Sequence, residues 1–367
     1  MGLIKPPFAR TAFYLAGSAV ALAALAAVGY LVIYPWLYPP DRKPKLPEVT
    51  DAEERNRVPV PTVRFKDVTA KAFNRPFYHH NGAAGKKLLP ETMGSGVAFL
   101  DYNNDGLQDI LFVNSCDWPG STTKARGAGT LALYENNGDG TFTDVTKKVG
   151  LDTVMFGMGV CVGDFDNDGR PDVFITGVGG NKLFRNLLVG RDARGKERHR
   201  FEEVTREANL LLDKKLRWQG AAPDYLQRKE PLNFSTSAAF LDYDGDGWLD
   251  LVVCNYVVWS PRIDEDLAAP GTGSGKKTYG RPANFDGTYC FLYRNKGKDK
   301  GGQWLGFEEV SQKAGLRVTR KLGKYAGKSL GVCVADVDRD GFPDILVAND
   351  TIANFFFHNL GNGKFED

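Results

Sequence analysis

Four times along the chain, oxygen-bearing side chains recur at alternate positions ahead of a fixed glycine. Counting from the first acid of each loop, positions 1, 3, 5 and 9 are Asp101, Asn103, Asp105 and Asp109; Asp164, Asp166, Asp168 and Asp172; Asp242, Asp244, Asp246 and Asp250; and Asp336, Asp338, Asp340 and Asp344. Position 6 is always glycine: Gly106, Gly169, Gly247 and Gly341. Alternate side chains turn toward one centre while the glycine makes the sharp bend, and carboxylates gathered this closely repel one another unless a cation joins them. A flexible, all-oxygen donor set suits Ca²⁺ rather than Zn²⁺. The backbone carbonyl at position 7 (Leu107, Arg170, Trp248, Phe342) would complete the shell. An EF-hand opens with the same spacing but requires a bidentate glutamate at position 12. Here that position holds Phe112, Ile175, Val253 and Val347, so the loops are of another kind. Turns rich in Asp, Asn and Gly also arise for backbone reasons alone. That reading would serve for one copy, but not for acids converging in every copy. Up to four Ca²⁺ sites are therefore expected, with the first, one charge short at Asn103, the weakest.

Two kinds of segment must position these loops. Each loop is flanked by two almost continuously apolar runs, opening at Gly96, Gly159, Ser237 and Gly331. Between loops come an aromatic run ending in asparagine and then a Phe-x-[Asp/Glu]-Val-[Thr/Ser] segment. The first is Leu133-Tyr134-Glu135-Asn136, Leu183-Phe184-Arg185-Asn186, Leu292-Tyr293-Arg294-Asn295 and Phe356-Phe357-His358-Asn359. The second begins at Phe65, Phe142, Phe201 and Phe307, with the opening of a further copy at Phe365. Short β-branched or aromatic runs bounded by Gly, Asp and Asn are strand signals. A four-stranded unit with buried inner strands, repeated along the chain, describes a β-propeller blade. A β-solenoid has shorter and more uniform coils. The expected fold is all-β: a propeller of four-stranded blades with four repeats visible, preceded by one N-terminal transmembrane helix. Because the sequence ends inside the motif that completes the fourth unit, further blades are expected.

The loops resemble those of FG-GAP (integrin-α-like, VCBS) repeats, in which calcium sits in a β-hairpin of a propeller blade. Several connecting segments resemble bacterial members of the cartilage acidic protein family more closely. They are Leu89-Pro90-Glu91-Thr92-Met93-Gly94, Phe174-Ile175-Thr176-Gly177-Val178-Gly179-Gly180-Asn181, Cys254-Asn255-Tyr256-Val257 with Trp259-Ser260-Pro261, and Val347-Ala348-Asn349-Asp350-Thr351. The resemblance covers roughly residues 62–367 and implies a seven-bladed, exported propeller, often followed by a small C-terminal domain. Literal Phe-Gly…Gly-Ala-Pro signatures are missing, so it does not extend to an integrin-like ligand face. Asn103 also departs from the usual aspartate.

Outside the repeats, residues 11–38 carry no charged side chain, long enough for a bilayer span. Phe13 and Tyr14 stand at one end and Tyr34, Trp36 and Tyr38 at the other, as interfacial aromatics do. Ala24-Leu25-Ala26 resembles a signal-peptide cleavage site, but the apolar run continues well past it, which favours a retained anchor. The expected organisation is a cytoplasmic tip and anchor at 1–38, a Pro-rich stalk at 39–61 and the propeller at 62–367. Flanking basic residues mildly favour the opposite sidedness. Millimolar calcium outside the cytoplasm favours export, and the expectation follows the calcium, giving a single-pass membrane protein with its propeller periplasmic or at the cell surface.

The formal charge of +2 comes entirely from residues 1–58, and the remainder balances at 40 basic against 40 acidic residues, so no nucleic-acid partner is expected. No nucleophile elbow, HExxH or phosphate loop occurs. The expected role is thus a binding, adhesion or scaffolding module for an unidentified protein or glycan. The alternative is a hydrolase or lyase using acids in the propeller channel. His79 and His80 are adjacent and should point to opposite faces of a strand, a structural role. Cys161 and Cys333, at matching places in two repeats, are expected to be buried in the core. Cys254 and Cys290 bracket an insertion and would bridge in an oxidising compartment.

Overall fold

The computed structural model describes residues 64–118, 131–211, 229–267, 278–319 and 325–367. Each repeat folds into one antiparallel four-stranded sheet in simple meander order. Blade 1 holds β1 (Val97–Leu100), β2 (Asp109–Phe112), β3 (Ala132–Asn136) and β4 (Phe142–Asp144). Blade 2 holds β5 (Phe156–Gly163), β6 (Asp172–Val178), β7 (Lys182–Arg191) and β8 (Glu197–Glu203). Blade 3 holds β9 (Ser235–Leu241), β10 (Asp250–Asn255), β11 (Phe291–Asn295) and β12 (Phe307–Glu309). Blade 4 holds β13 (Ser329–Ala335), β14 (Asp344–Asn349), β15 (Phe355–Asn359) and β16 (Phe365–Glu366). The register of the inner hairpin is the same in all four. The residue before position 1 faces the position-9 acid: Leu100 opposite Asp109, Gly163 opposite Asp172, Leu241 opposite Asp250 and Ala335 opposite Asp344. This shared register is what presents each acidic loop at the same end of its blade.

The all-β fold and the four blades agree with the expectation. The copy at residues 65–69 forms no strand and leads instead into a helical turn at Thr69–Ala72. The expected membrane span and stalk lie outside the described residues. Among those described, no helix is long and apolar enough to cross a membrane.

The core lies between blades rather than within them. Leu111 and Leu133 of blade 1 pack with Val173, Ile175 and Phe184 of blade 2. Phe174 and Leu183 meet Leu251, Val253 and Tyr293 of blade 3. Val252 and Leu292 meet Ile345, Val347 and Phe357 of blade 4. Among the described residues, blade 4 itself has no such cover. Leu346 is 48% exposed and Phe356 42%, whereas their counterparts Leu111, Phe174 and Val252, and Leu133, Leu183 and Leu292, are at most 1% exposed. The same geometry corrects the expectation for the two matched cysteines. Cys161 is half-buried between blades 2 and 3, but Cys333 is exposed, because among the described residues nothing packs on its face. Cys254 and Cys290 are buried free thiols facing one another across β10 and the start of β11, their sulfurs 3.7 Å apart.

At Gly159, where the inner strands converge, only glycine fits. A Cβ on Gly159 would lie 2.3 Å from the Thr236 carbonyl oxygen and 2.9 Å from the Thr176 hydroxyl. At the matched Gly331, against which the described residues pack no further blade, the nearest neighbour would lie at 3.7 Å. Gly159→Ala should therefore destabilise the protein by about 2 kcal/mol or more through overpacking, read as a lower thermal midpoint. Gly331→Ala should be neutral or slightly stabilising, since a strand gains from losing a glycine. Equal effects at the two positions would contradict this packing.

Candidate metal centres

Within each loop the backbone wraps around its own acids. The position-1 carboxylate accepts the position-5 N–H on Oδ1 (3.0–3.1 Å) and the glycine N–H on Oδ2 (2.8–3.0 Å) in all four copies. The position-5 carboxylate accepts the position-7 N–H at 2.8–3.0 Å in each loop, at Leu107, Arg170, Trp248 and Phe342. These bonds require a left-handed residue at position 4, filled by Asn104, Asn167, Gly245 and Arg339, as well as the glycine at position 6. Asn and Gly tolerate that conformation, whereas Arg339, at φ 64°, carries the strain of a Cβ there.

The acids do not all do the same work. Asp109, Asp172, Asp250 and Asp344 are buried and start the second strand. Each accepts the position-2 N–H on Oδ2 (3.0–3.2 Å) and, on Oδ1, the N–H of an asparagine in the third strand (2.7–2.8 Å). Burial above all raises the pKa of Asp109 to about 6 and those of Asp172 and Asp250 to about 8, with nearby loop acids adding to the rise.

Three loops draw carboxylate oxygens to within 4.8 Å of one another: Asp164, Asp166 and Asp172; Asp242, Asp244 and Asp246; and Asp336, Asp338 and Asp340. Loop 1 forms no such acid group. Asn103 is an amide there, and Asp105 is drawn to Lys196 Nζ at 3.1 Å. The donor set fits a hard divalent cation on a direct observation. Asp166 is 7% exposed and its Oδ1 has no hydrogen-bond partner among the described residues, and Asp244 Oδ1 is likewise buried without one. A buried carboxylate oxygen without a donor is costly, and a cation among these acids would satisfy it.

Two functional groups escaped the reading of the sequence. The first is the strand-three asparagine, visible as a motif but without an assigned role. Its side chain crosses to the preceding blade: Asn186 Nδ2 donates to the Tyr102 carbonyl, Asn295 to Phe165 and Asn359 to Tyr243, each at 2.8 Å. The loops also touch directly, since Asn104 Nδ2 donates to the Gly169 carbonyl and Asn167 Nδ2 to that of Gly247. The second is the residue just before that asparagine, whose side chain reaches the acids. Arg185 Nε lies 2.9 Å from Asp166 Oδ2, and Arg294 Nε donates to Asp244 Oδ2 at 2.6 Å. His358 Nδ1 lies 3.0 Å from Asp344 Oδ1, and Glu135 reaches the first loop only through Lys196. The histidine pair divides its partners: His79 bonds the Ser95 hydroxyl at 3.1 Å and His80 the Asp117 carboxylate at 2.8 Å.

With this geometry in view, the likenesses to known proteins are consistent. Residues 101–175, from the first acidic loop to the second strand of blade 2, match the FG-GAP-like repeat. The chain is 26% identical over 213 residues to cartilage acidic protein 1 of Xenopus tropicalis, a match covering 47% of this chain and 30% of that protein. It is 28% identical over 166 residues to the Homo sapiens protein of the same name, covering 45% and 20%. The resemblance to FG-GAP repeat proteins is thus borne out, and the match spans less than a third of the length of these relatives. A rhamnogalacturonan lyase of Bacillus licheniformis overlaps 74% of this chain and 41% of its own at 17% identity and a TM-score of 0.29, too loose a likeness to bear on activity.

Asp250 separates a clamp from a simple ligand. Asp250→Ala strands the buried N–H groups of Tyr243 and Asn295 and should cost about 3 kcal/mol, measured by denaturant unfolding with calcium and again with chelator. A loss that vanishes in chelator would mean the acid serves an ion alone.

Proposed function

We propose that this chain is part of a calcium-loaded, extracytoplasmic β-propeller that serves as a binding or scaffolding module, held at a membrane by residues 1–38. The observation that carries the reading is the pair of orphaned carboxylate oxygens, Asp166 Oδ1 and Asp244 Oδ1, each within a group of three converging acids. Asp101, Asn103, Asp105 and Asp109 would form the weakest of four sites, because the amide and Lys196 together lower the negative charge offered. The exposed apolar face of blade 4 supports the further reading that more blades, up to the seven implied by the family resemblance, cover it. Fifteen of the 40 acids in residues 59–367 lie in the four loops, so ion loading would leave the propeller basic and suited to an anionic glycan or an acidic protein surface.

Ion loading should be visible as stability. For sites of about 10⁻⁴ M affinity in about 2 mM calcium, linkage contributes roughly 1.8 kcal/mol per site. Chelation should therefore lower the melting temperature by many degrees. Magnesium should restore little of it, since that ion demands tighter octahedral geometry. A melting curve unmoved by chelator would reduce the loops to turns and remove the basis of the proposal.

A further inference from the structure

The residue preceding the strand-three asparagine occupies the same place in every blade, yet its charge differs: Glu135, Arg185, Arg294 and His358. Blades 2 and 3 place an arginine Nε against the same oxygen, as a hydrogen bond in blade 3 and as an ion pair without hydrogen-bond geometry in blade 2. The arginine holds Oδ2 of the position-3 acid, and Oδ1 of the same carboxylate is the buried oxygen left without a partner. Arg294 also reaches Asp246 Oδ2 with Nη2 at 3.0 Å, so one guanidinium spans two acids of its loop. Arg185 is further fixed over the rings of Phe165 and Trp304, at 5.4 and 5.2 Å from their centroids.

We propose that Arg185 and Arg294 are tethered counter-charges that hold loops 2 and 3 in their ion-binding shape in the absence of the ion and, for the same reason, weaken calcium binding there. The proposal rests on the reading of these loops as calcium sites. Two effects of the arginine oppose one another. Fixing one carboxylate spares some of its rotational freedom on binding, a gain of about threefold in affinity. A unit positive charge about 5 Å from a divalent ion costs about tenfold even with the dielectric of water. The charge term wins, so the arginine trades affinity for a loop that stays folded when empty of cations. Blade 1 reaches a similar balance by other means: Lys196, from the β7–β8 hairpin of the next blade, bridges Asp105 and Glu135. Among the described residues, loop 4 has neither arginine nor lysine on its acids; it faces His358, whose Nε2 is 3.9 Å from Asp338.

Arg294 allows the cleaner test, because Arg185 also contributes ring packing. In the full chain, Arg294→Gln should lower the melting temperature in chelator and tighten calcium binding at one site about tenfold by titration calorimetry. Arg294→Lys keeps the charge without the two-acid span; its calcium affinity should stay near that of the parent. The gain in Arg294→Gln should vanish when Asp246→Ala is added, which places it in loop 3. If the parent chain takes up no calcium, the calcium reading fails and this proposal falls with it. If the parent binds calcium but Arg294→Gln binds no better, or melts no earlier in chelator, the counter-charge alone is overturned.

Discussion

The structure depends on one repeated pair of hydrogen bonds, those accepted by the buried aspartate at the start of each second strand. One oxygen of Asp172 takes the N–H of Phe165 and closes its own loop; the other takes the N–H of Asn186 and sets the third strand against that loop. The Asn186 side chain then donates to the carbonyl of Tyr102 in the blade before. A single carboxylate thus fixes loop shape, strand order and the seam between blades. Asp250 with Asn295, and Asp344 with Asn359, repeat the arrangement. Each of these carboxyl groups accepts on both oxygens in a buried setting, so breaking the arrangement leaves buried backbone donors behind.

That constraint explains why so many acids are tolerated in so small a space. The clamp acids spend their oxygens on backbone donors, and the position-1 and position-5 acids receive N–H groups from their own loop. The position-3 acids alone keep an oxygen free of any donor, in blades 2 and 3. The protein meets the remaining repulsion with cations that differ from blade to blade, and this variation makes four nearly identical loops chemically distinct. The seams join neighbouring loops through Asn104 and Asn167, each of which donates to the glycine carbonyl of the next loop.

Much of this was legible in the sequence because its signals are local. Apolar runs on either side of Asp242–Asp250 specify a hairpin whichever blade they join, and the glycine at 247 marks its turn. The missing part lies in contacts between residues far apart in the chain. Asn295 and Phe165 are 130 residues apart, and nothing in the period of either segment announces that they meet. Arg185 and Arg294 stand in the aromatic runs with no assigned role, because a side chain that leaves its sheet to reach a hairpin loop has no sequence pattern. Gly159 and Gly331 look equivalent in the repeat. They differ only because one inner strand has a neighbour beyond it and the other does not. Cys333 differs from Cys161 for the same reason: burial here belongs to the seam between blades, and the described residues form no seam on its face.

The claim on which the account turns is that these loops gather their acids around calcium, and Trp248, at position 7 of loop 3, offers a direct probe. Terbium takes oxygen-ligand sites of calcium size and emits when an excited indole lies within a few ångströms. Excitation of tryptophan in the presence of Tb³⁺ should therefore produce saturable sensitised emission that millimolar calcium displaces, magnesium leaves in place and Trp248→Phe diminishes. Absence of sensitised emission, or displacement by magnesium as readily as by calcium, would contradict it.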